Sequence, residues 1–189
     1  MNTIINSLQN IVHTLKLNLY FTLILLGILW AIHIVNYIMG YRLSYLGIHP
    51  RKLAGIPGIV LSPLLHGNFE HLLLNSIPLF VLVDLLLAQG KLHFYTISIE
   101  ITIISGVAIW LLGRRAIHIG ASSLIMGYFG YLLAIAWHHP TTMTVVLAVL
   151  GIFYLGSLML TNLLSFKKGV SAEGHIFGFL AGILVAYVF

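Results

Sequence analysis

Six apolar runs, separated by stretches that hold most of the charged residues, dominate this sequence. A helix needs about 20 apolar residues to cross the hydrocarbon core of a bilayer. We therefore predict an all-α integral membrane protein in which six transmembrane helices form a single membrane domain over residues 1–189. The predicted spans cover residues 19–39, 69–88, 94–112, 122–137, 144–164 and 171–189.

The composition supports this class and argues against others. Charged residues make up 7% of the chain and hydrophobic residues 60%, whereas a soluble domain carries roughly a quarter charged residues. The net charge of +5 does not indicate a nucleic-acid partner, because the Lys and Arg residues are spread among the connections between the runs. The absence of cysteine excludes disulfides, a cysteine nucleophile and thiolate metal sites.

The fourth run and the first connection differ from the rest. The fourth run has about 16 residues and would span about 24 Å, which is less than the ~30 Å hydrocarbon core. We therefore expect its first residue, Ser122, to lie below the membrane surface. The connection at residues 40–68 is long and apolar, so we expect it to enter the membrane interface and to fold on itself or against the helices.

Polar residues gather at the starts of three predicted helices, where burial is costly and a functional role is the first hypothesis. His66, His71 and Asn75 lie at the second helix, Ser122 begins the fourth and His175 lies near the start of the sixth. Backbone N–H groups beside Ser122 would stabilise an oxyanion; the alternative is that Ser122 is an ordinary N-cap. Because His66 and His71 have a poor spacing for two ligands on one helix, no metal site is predicted.

Small residues predict how the fourth and sixth helices pack. They recur every four residues in both runs, and such ridges let membrane helices approach each other closely. Packing the two ridges together would bring Ser122 and His175 within reach of each other. The residues with this spacing are Ser123 and Gly127 in the fourth run, with Gly130 nearby, and Gly174, Gly178 and Gly182 in the sixth.

These motifs, in this order, resemble those of the rhomboid family of intramembrane serine proteases. The resemblance covers residues 19–189 and implies a rhomboid-like bundle of six transmembrane helices. The matching patterns are His66, His71 and Asn75 for the second span, Gly120-Ala121-Ser122 for a Gly-x-Ser motif, and His175, Gly178 and Gly182 for the last span.

The resemblance implies catalysis by a Ser–His dyad without a metal or an organic cofactor. Ser122 would attack the scissile carbonyl of a transmembrane protein substrate, and His175 would accept the serine proton and pass it to the leaving amine. The Ser122 N–H, His66 and Asn75 would hold the oxyanion, while His71 would support the site by packing and hydrogen bonding. The glycines with a packing role would be Gly120, Gly178 and Gly182.

Some features differ from the family pattern. Ser123 stands where glycine usually follows the nucleophile, and Met126 where an aromatic residue often stacks on the catalytic histidine. The resemblance implies cytoplasmic termini and a site that opens outward. Two basic residues would then lie inside and seven outside, contrary to the positive-inside rule. The inverted orientation is the alternative.

The favoured function is that of an intramembrane serine endopeptidase. A catalytically inactive, client-binding protein would need the same helices without the dyad, and a small transporter would use Asp84 and Glu100 on a polar path through the bilayer. The expected partners are transmembrane protein substrates and the lipid bilayer, with no nucleic acid and with the oligomeric state left open. The expected location is a bacterial inner (cytoplasmic) membrane, which the chain crosses several times. We expect His33 to hydrogen-bond between helices.

Overall fold

A computed structural model describes residues 2–163 and 172–188, and most of these residues are helical. The α-helices of the described part follow one another along the chain, with short 3-10 turns between the first and third of them. They are α1 (Asn2–Ile38), α2 (Gly58–Leu61), α3 (Phe69–Leu87), α4 (Lys91–Leu112), α5 (Ser122–His138), α6 (Thr142–Leu163) and α7 (Ala172–Val188).

The predicted all-α membrane bundle is confirmed. Within the described ranges, three helical segments are long and apolar enough to cross a bilayer: Asn18–Ile38, Phe69–Leu87 and Lys91–Leu112. Shorter apolar helical segments are Leu53–Leu64, Thr142–Phe153 and Ala172–Val188. The end of the predicted fifth span at residue 164, and both ends of the predicted sixth span at residues 171 and 189, lie outside the described residues.

Large apolar side chains cover the outside of the bundle. Ile38, Leu92 and Leu112 are 76%, 81% and 69% exposed, and many other aliphatic residues of α1, α4 and α7 face outward. A monomeric soluble protein rarely exposes apolar patches of this extent. The surface is therefore one that hydrocarbon, not water, surrounds.

Helix α5 lies in the core of the bundle and packs most extensively on α7. The two helices touch through backbone: a Cβ added at Gly178 would overlap the carbonyl of Ser123, and one added at Gly182 would overlap the carbonyl of Gly127. Since both numbers rise together along the interface, α5 and α7 run parallel. Their N-terminal ends therefore lie side by side.

The connection from α1 to α3 folds against the end of α4 and the loop that leads into α5. Ile48 and His118 form an isolated antiparallel bridge, in which each backbone N–H lies 3.0 Å from the other's carbonyl oxygen. The Arg51 N–H donates to the Trp110 carbonyl at 2.9 Å. The expectation that this connection folds on itself and against the helices is confirmed. It satisfies backbone groups that could not face lipid.

The α5–α7 contact predicts a large effect of one methyl group. Gly182→Ala forces the two backbones apart, and we expect it to lower the free energy of unfolding by about 1–3 kcal/mol. Gly27→Ala is the matched control, because nothing lies within 4 Å of a Cβ added at Gly27. In that exposed helix, alanine should stabilise by up to about 1 kcal/mol. Thermal unfolding in detergent, followed by circular dichroism, compares the two; equal midpoints would contradict the described packing.

Candidate functional site

The candidate site lies where the N-terminal ends of α3, α5 and α7 meet. The α4–α5 loop connects all three: Gly120 packs on the His71 ring of α3, and Arg114 Nε lies 3.6 Å from Glu173 Oε1 at the start of α7. Each helix start contributes one of the predicted groups. Helix α3 carries His71 and Asn75, α5 begins with Ser122, and α7 carries His175.

The turn before Ser122 is held by the first connection. Gly120 has a φ of +116°, a backbone conformation that residues with a Cβ rarely adopt. Its N–H donates to the Ser62 carbonyl at 2.9 Å, and the next N–H, that of Ala121, donates to His66 Nε2 at 3.5 Å. Ser122 follows as the first residue of α5.

Ser122 is not the N-cap of α5. Ala121 occupies the N-cap position, and no side chain there accepts a hydrogen bond from the first turn. Backbone N–H groups in the first turn of a helix have no partner within the helix. The alternative hypothesis of an ordinary serine N-cap is therefore wrong. The half-buried Ser122 side chain lies beside backbone donors that no cap occupies.

His71 and Asn75 share one face of α3 and both point at the turn before Ser122. A Cβ added at Gly120 would lie 2.7 Å from His71 Cε1 and Nε2, and 3.6 Å from Asn75 Nδ2. Asn75 is 8% exposed, and its Nδ2 finds no acceptor among the described residues. A buried donor without an acceptor costs roughly 1–3 kcal/mol. Such a group needs a reason to be there.

His66 lies behind His71, with ring centroids 5.2 Å apart. It is fully buried. Burial, reinforced by the neighbouring His71 and His33, lowers the pKa of His66 from its ordinary 6.5 to about 3. A neutral ring has one nitrogen without a proton, and here Nε2 accepts the Ala121 N–H. His66 is therefore an acceptor that holds the turn.

This geometry favours a division of roles opposite to the one predicted for the two histidines. The resemblance to the rhomboid family implied that His66 holds the oxyanion and that His71 supports the site. A ring nitrogen that accepts a hydrogen bond carries no proton to donate to an oxyanion, so Nε2 of His66 is unsuited to that role. His71, with Asn75 on the same face, is the histidine that reaches Gly120.

His175 is buried in α7, 4% exposed, and lies one turn before Gly178. Because Gly178 contacts Ser123 and the helices run parallel, His175 is level with the start of α5. It also lies near enough to His71 for the two rings to interact electrostatically. The structure thus brings His66, His71, Asn75, Ser122 and His175 to one end of the bundle.

Other polar residues lie apart from this group. Asp84 is thirteen residues beyond His71 on α3, which is about 20 Å along the helix axis. The Nε2 of His118 is hydrogen-bonded to the Arg114 carbonyl oxygen at 3.1 Å. No group of three His, Asp or Glu side chains suited to a metal occurs in the part of the chain that the structure describes.

His33 was not predicted as part of this region. It is 1% exposed and its ring packs edge-on against Phe69, with centroids 4.7 Å apart. Neither ring nitrogen has a hydrogen-bond partner among the described residues, so the expected interhelical hydrogen bond is wrong. In the sequence, only the position of His33 on the buried face of α1 could have predicted that its ring is buried against an aromatic residue.

An apolar cavity of about 310 Å³ opens between α1, α3 and α5. Its walls include Leu25, Leu29, Leu79 and Leu124. At one end it reaches Ala121, the residue directly before Ser122. The site therefore has an apolar side that faces the interior of the bundle.

Comparison with known proteins relates the chain to one family. Residues 55–189, which include every predicted site residue, match the model of the Rhomboid domain. An uncharacterized protein of Mycobacterium tuberculosis is 34% identical over 170 residues, 86% of this chain and 71% of its own length. One from Mycobacterium leprae is 30% identical over the same share of this chain and 68% of its own length.

A more distant relative carries a functional name. A Bacillus subtilis protein named "Putative rhomboid protease YdcA" is 27% identical over 135 residues, 66% of this chain and 63% of the relative. The family match extends over well more than half of the chain, and the apolar helices described above suit a bilayer. This chain belongs to the rhomboid family and is a multi-pass integral membrane protein.

Proposed function

We propose that this protein is an intramembrane serine endopeptidase that cleaves transmembrane protein substrates through Ser122 and His175. The observation that carries the proposal is the buried Asn75 amide, whose Nδ2 has no acceptor within the described residues and points, with His71, at the turn before Ser122. Family membership supports a protease. The proposed location is a bacterial inner membrane, since the relatives named above are bacterial.

In the proposed reaction Ser122 is the nucleophile and His175 the base. Ser122 Oγ bonds to the scissile carbonyl carbon as His175 takes the hydroxyl proton. The same proton then passes to the leaving amine as the C–N bond breaks, which leaves an ester on Ser122. Water, deprotonated by His175, then bonds to the ester carbonyl carbon, and His175 returns the proton to Ser122 Oγ as the bond from that carbon to Oγ breaks, which releases the acid and restores the serine. The parallel α5–α7 contact supports this pairing, because it aligns the starts of both helices.

The oxyanion that forms in both steps needs donors fixed before it appears. We assign this role to the Ser122 N–H, His71 and Asn75. His66 is a positioning residue, because it accepts the N–H of Ala121 and so fixes the turn that aims Ser122. The Asn75 Nδ2, which has no acceptor among the described residues, would then donate a hydrogen bond to the oxyanion of the intermediate.

The proposed substrate is the transmembrane helix of another protein, which unwinds at the end of the bundle where α3, α5 and α7 begin. Helix α5 has 17 residues, about 25 Å, which is shorter than the ~30 Å hydrocarbon core, and this supports the proposal that Ser122 lies below the membrane surface. The apolar cavity next to Ala121 suits an aliphatic side chain of such a substrate. A transporter is disfavoured, because Asp84 lies about 20 Å along the axis of α3 from His71 and so apart from the polar residues of the candidate site.

The dyad is tested with a fluorophosphonate, which acylates activated serines without a known substrate. We expect wild type to be labelled and Ser122→Ala and His175→Ala to lose labelling. Ser123→Ala is the matched control, since it removes the neighbouring hydroxyl and should keep its label. Labelling that survives in Ser122→Ala, or is missing from folded wild type, would overturn the dyad; the latter would favour a client-binding protein.

Asn75→Ala separates a role in catalysis from a role in stability. Loss of one oxyanion donor lowers the rate by about 10²–10³-fold, measured as the rate of acylation by the probe. The thermal midpoint should stay the same or rise, because the amide donates no hydrogen bond to the described residues. A variant with an unchanged acylation rate would remove Asn75 from the proposed site.

His66→Gln tests the neutral histidine through pH. Because the pKa of His66 is about 3 in the folded protein and 6.5 ordinarily, only the unfolded state gains a proton as pH falls below 6.5. Its contribution to stability is therefore complete above that pH and is lost on acidification, by about 2 kcal/mol between pH 7 and pH 5.

Thermal unfolding in detergent at both pH values checks this. We expect a smaller acid-induced decrease in the midpoint for His66→Gln, whose amide oxygen can still accept the Ala121 N–H. His139→Gln is the control, because His139 is exposed and should leave the decrease unchanged. Equal decreases in wild type and His66→Gln would contradict the buried, neutral state of His66.

A further inference from the structure

A cleft separate from the candidate site lies between the first connection and the α4–α5 loop. Its volume is about 610 Å³, and its lining includes His49, Arg51, Lys52 and Arg115. Among the described residues that line it, none is a carboxylate. Three permanent positive charges thus converge on one concave surface, and no negative charge of the lining offsets them.

The walls of the cleft are fixed by backbone hydrogen bonds. The Ile48–His118 bridge joins the two segments that form it. Arg51 adopts a left-handed φ of +58°, which is unfavourable for a residue with a Cβ. Its N–H is bound by the Trp110 carbonyl at 2.9 Å, and its Nη1 donates to the Leu111 carbonyl at 2.9 Å. The cation is therefore held in place before any ligand arrives.

Arg51 keeps donors for a ligand. A guanidinium has five N–H groups, and the described contacts of the Arg51 side chain use one nitrogen. Lys52 and Arg115 are exposed, and within the described residues neither forms an ion pair. The Lys52 carbonyl accepts the Trp110 indole N–H at 2.9 Å, which fixes the backbone beneath its side chain.

Apolar side chains beside the cleft set its depth in the membrane. Leu53, directly after Lys52, is 81% exposed, and Leu112 is 69% exposed. Such side chains belong in hydrocarbon, whereas the adjacent charges belong at the headgroups. Trp110, whose indole N–H donates to the Lys52 carbonyl, is of the residue type enriched at this boundary. The cleft therefore opens at the level of lipid phosphates.

We propose that this cleft binds the phosphate headgroup of an anionic phospholipid. Lys52, Arg115 and the remaining N–H groups of Arg51 bind the phosphate oxygens in charge-assisted hydrogen bonds, and the acyl chains lie along Leu53 and Leu112. A soluble acidic peptide would bind to the charges only. A phospholipid binds to the charges and also extends its acyl chains along Leu53 and Leu112.

The test measures lipid retention by native mass spectrometry and thermal stability in detergent, with phosphatidylglycerol or phosphatidylcholine added to the full chain. We expect phosphatidylglycerol alone to remain bound and to raise the unfolding midpoint. Lys52→Gln/Arg115→Gln should bind it about 30-fold more weakly, as about 1 kcal/mol per surface cation implies. Lys16→Gln/Lys91→Gln is the matched control, because it removes the same charge outside the cleft.

Four results would overturn the proposal. They are equal retention of both lipids by wild type, undiminished retention by Lys52→Gln/Arg115→Gln, an equal loss in the control variant, and equal stabilisation of lipid-free protein by inorganic phosphate or an acidic peptide. If the double variant does not fold, Arg115→Gln alone and the loss of retention with rising salt provide the same comparison.

Discussion

The contact between the backbones of α5 and α7 is the constraint on which the rest of the site depends. Gly178 and Gly182 leave no room for a Cβ against Ser123 and Gly127, so the two helices meet backbone to backbone in this register. Hydrocarbon provides no hydrophobic force between helices, and close packing of this kind is what holds them. The register fixes which residues share a level in the bilayer. His175 is thereby matched to the start of α5, and the chemistry we propose for Ser122 follows from a packing rule.

The sequence predicted the helical bundle, the glycine ridges and the residues that gather at one end, because each leaves a local mark. Apolar length predicts a span, and glycine at every fourth position predicts close approach. The roles that we propose for His66 and His71 could not be predicted in this way. They depend on which ring meets the Ala121 N–H, a contact between residues 55 positions apart. The burial of His33 against Phe69 and the left-handed Arg51 likewise depend on tertiary contacts that no short pattern encodes.

Polar groups in the bundle divide into those whose hydrogen bonds are complete and those whose hydrogen bonds are not. Ser76 donates to the Leu72 carbonyl at 2.8 Å and accepts from the Trp30 indole at 3.2 Å, so it acts as a structural link between α1 and α3. The Asn75 amide, its neighbour in sequence, has no acceptor among the described residues. Adjacent residues of α3 thus differ in their hydrogen bonding. The bonds of Ser76 are explained by the stability of the fold, whereas the free donor of Asn75 favours a transient partner such as the oxyanion proposed above.

The two N–H groups directly before Ser122 are held by Ser62 and His66, and both belong to the connection between α1 and α3. The side chain of Ser122 is therefore carried by one helix but aimed by a segment that precedes it by more than fifty residues. A change in that segment, with every residue of α5 and α7 left as it is, would turn the serine without loosening the helix pair that holds it.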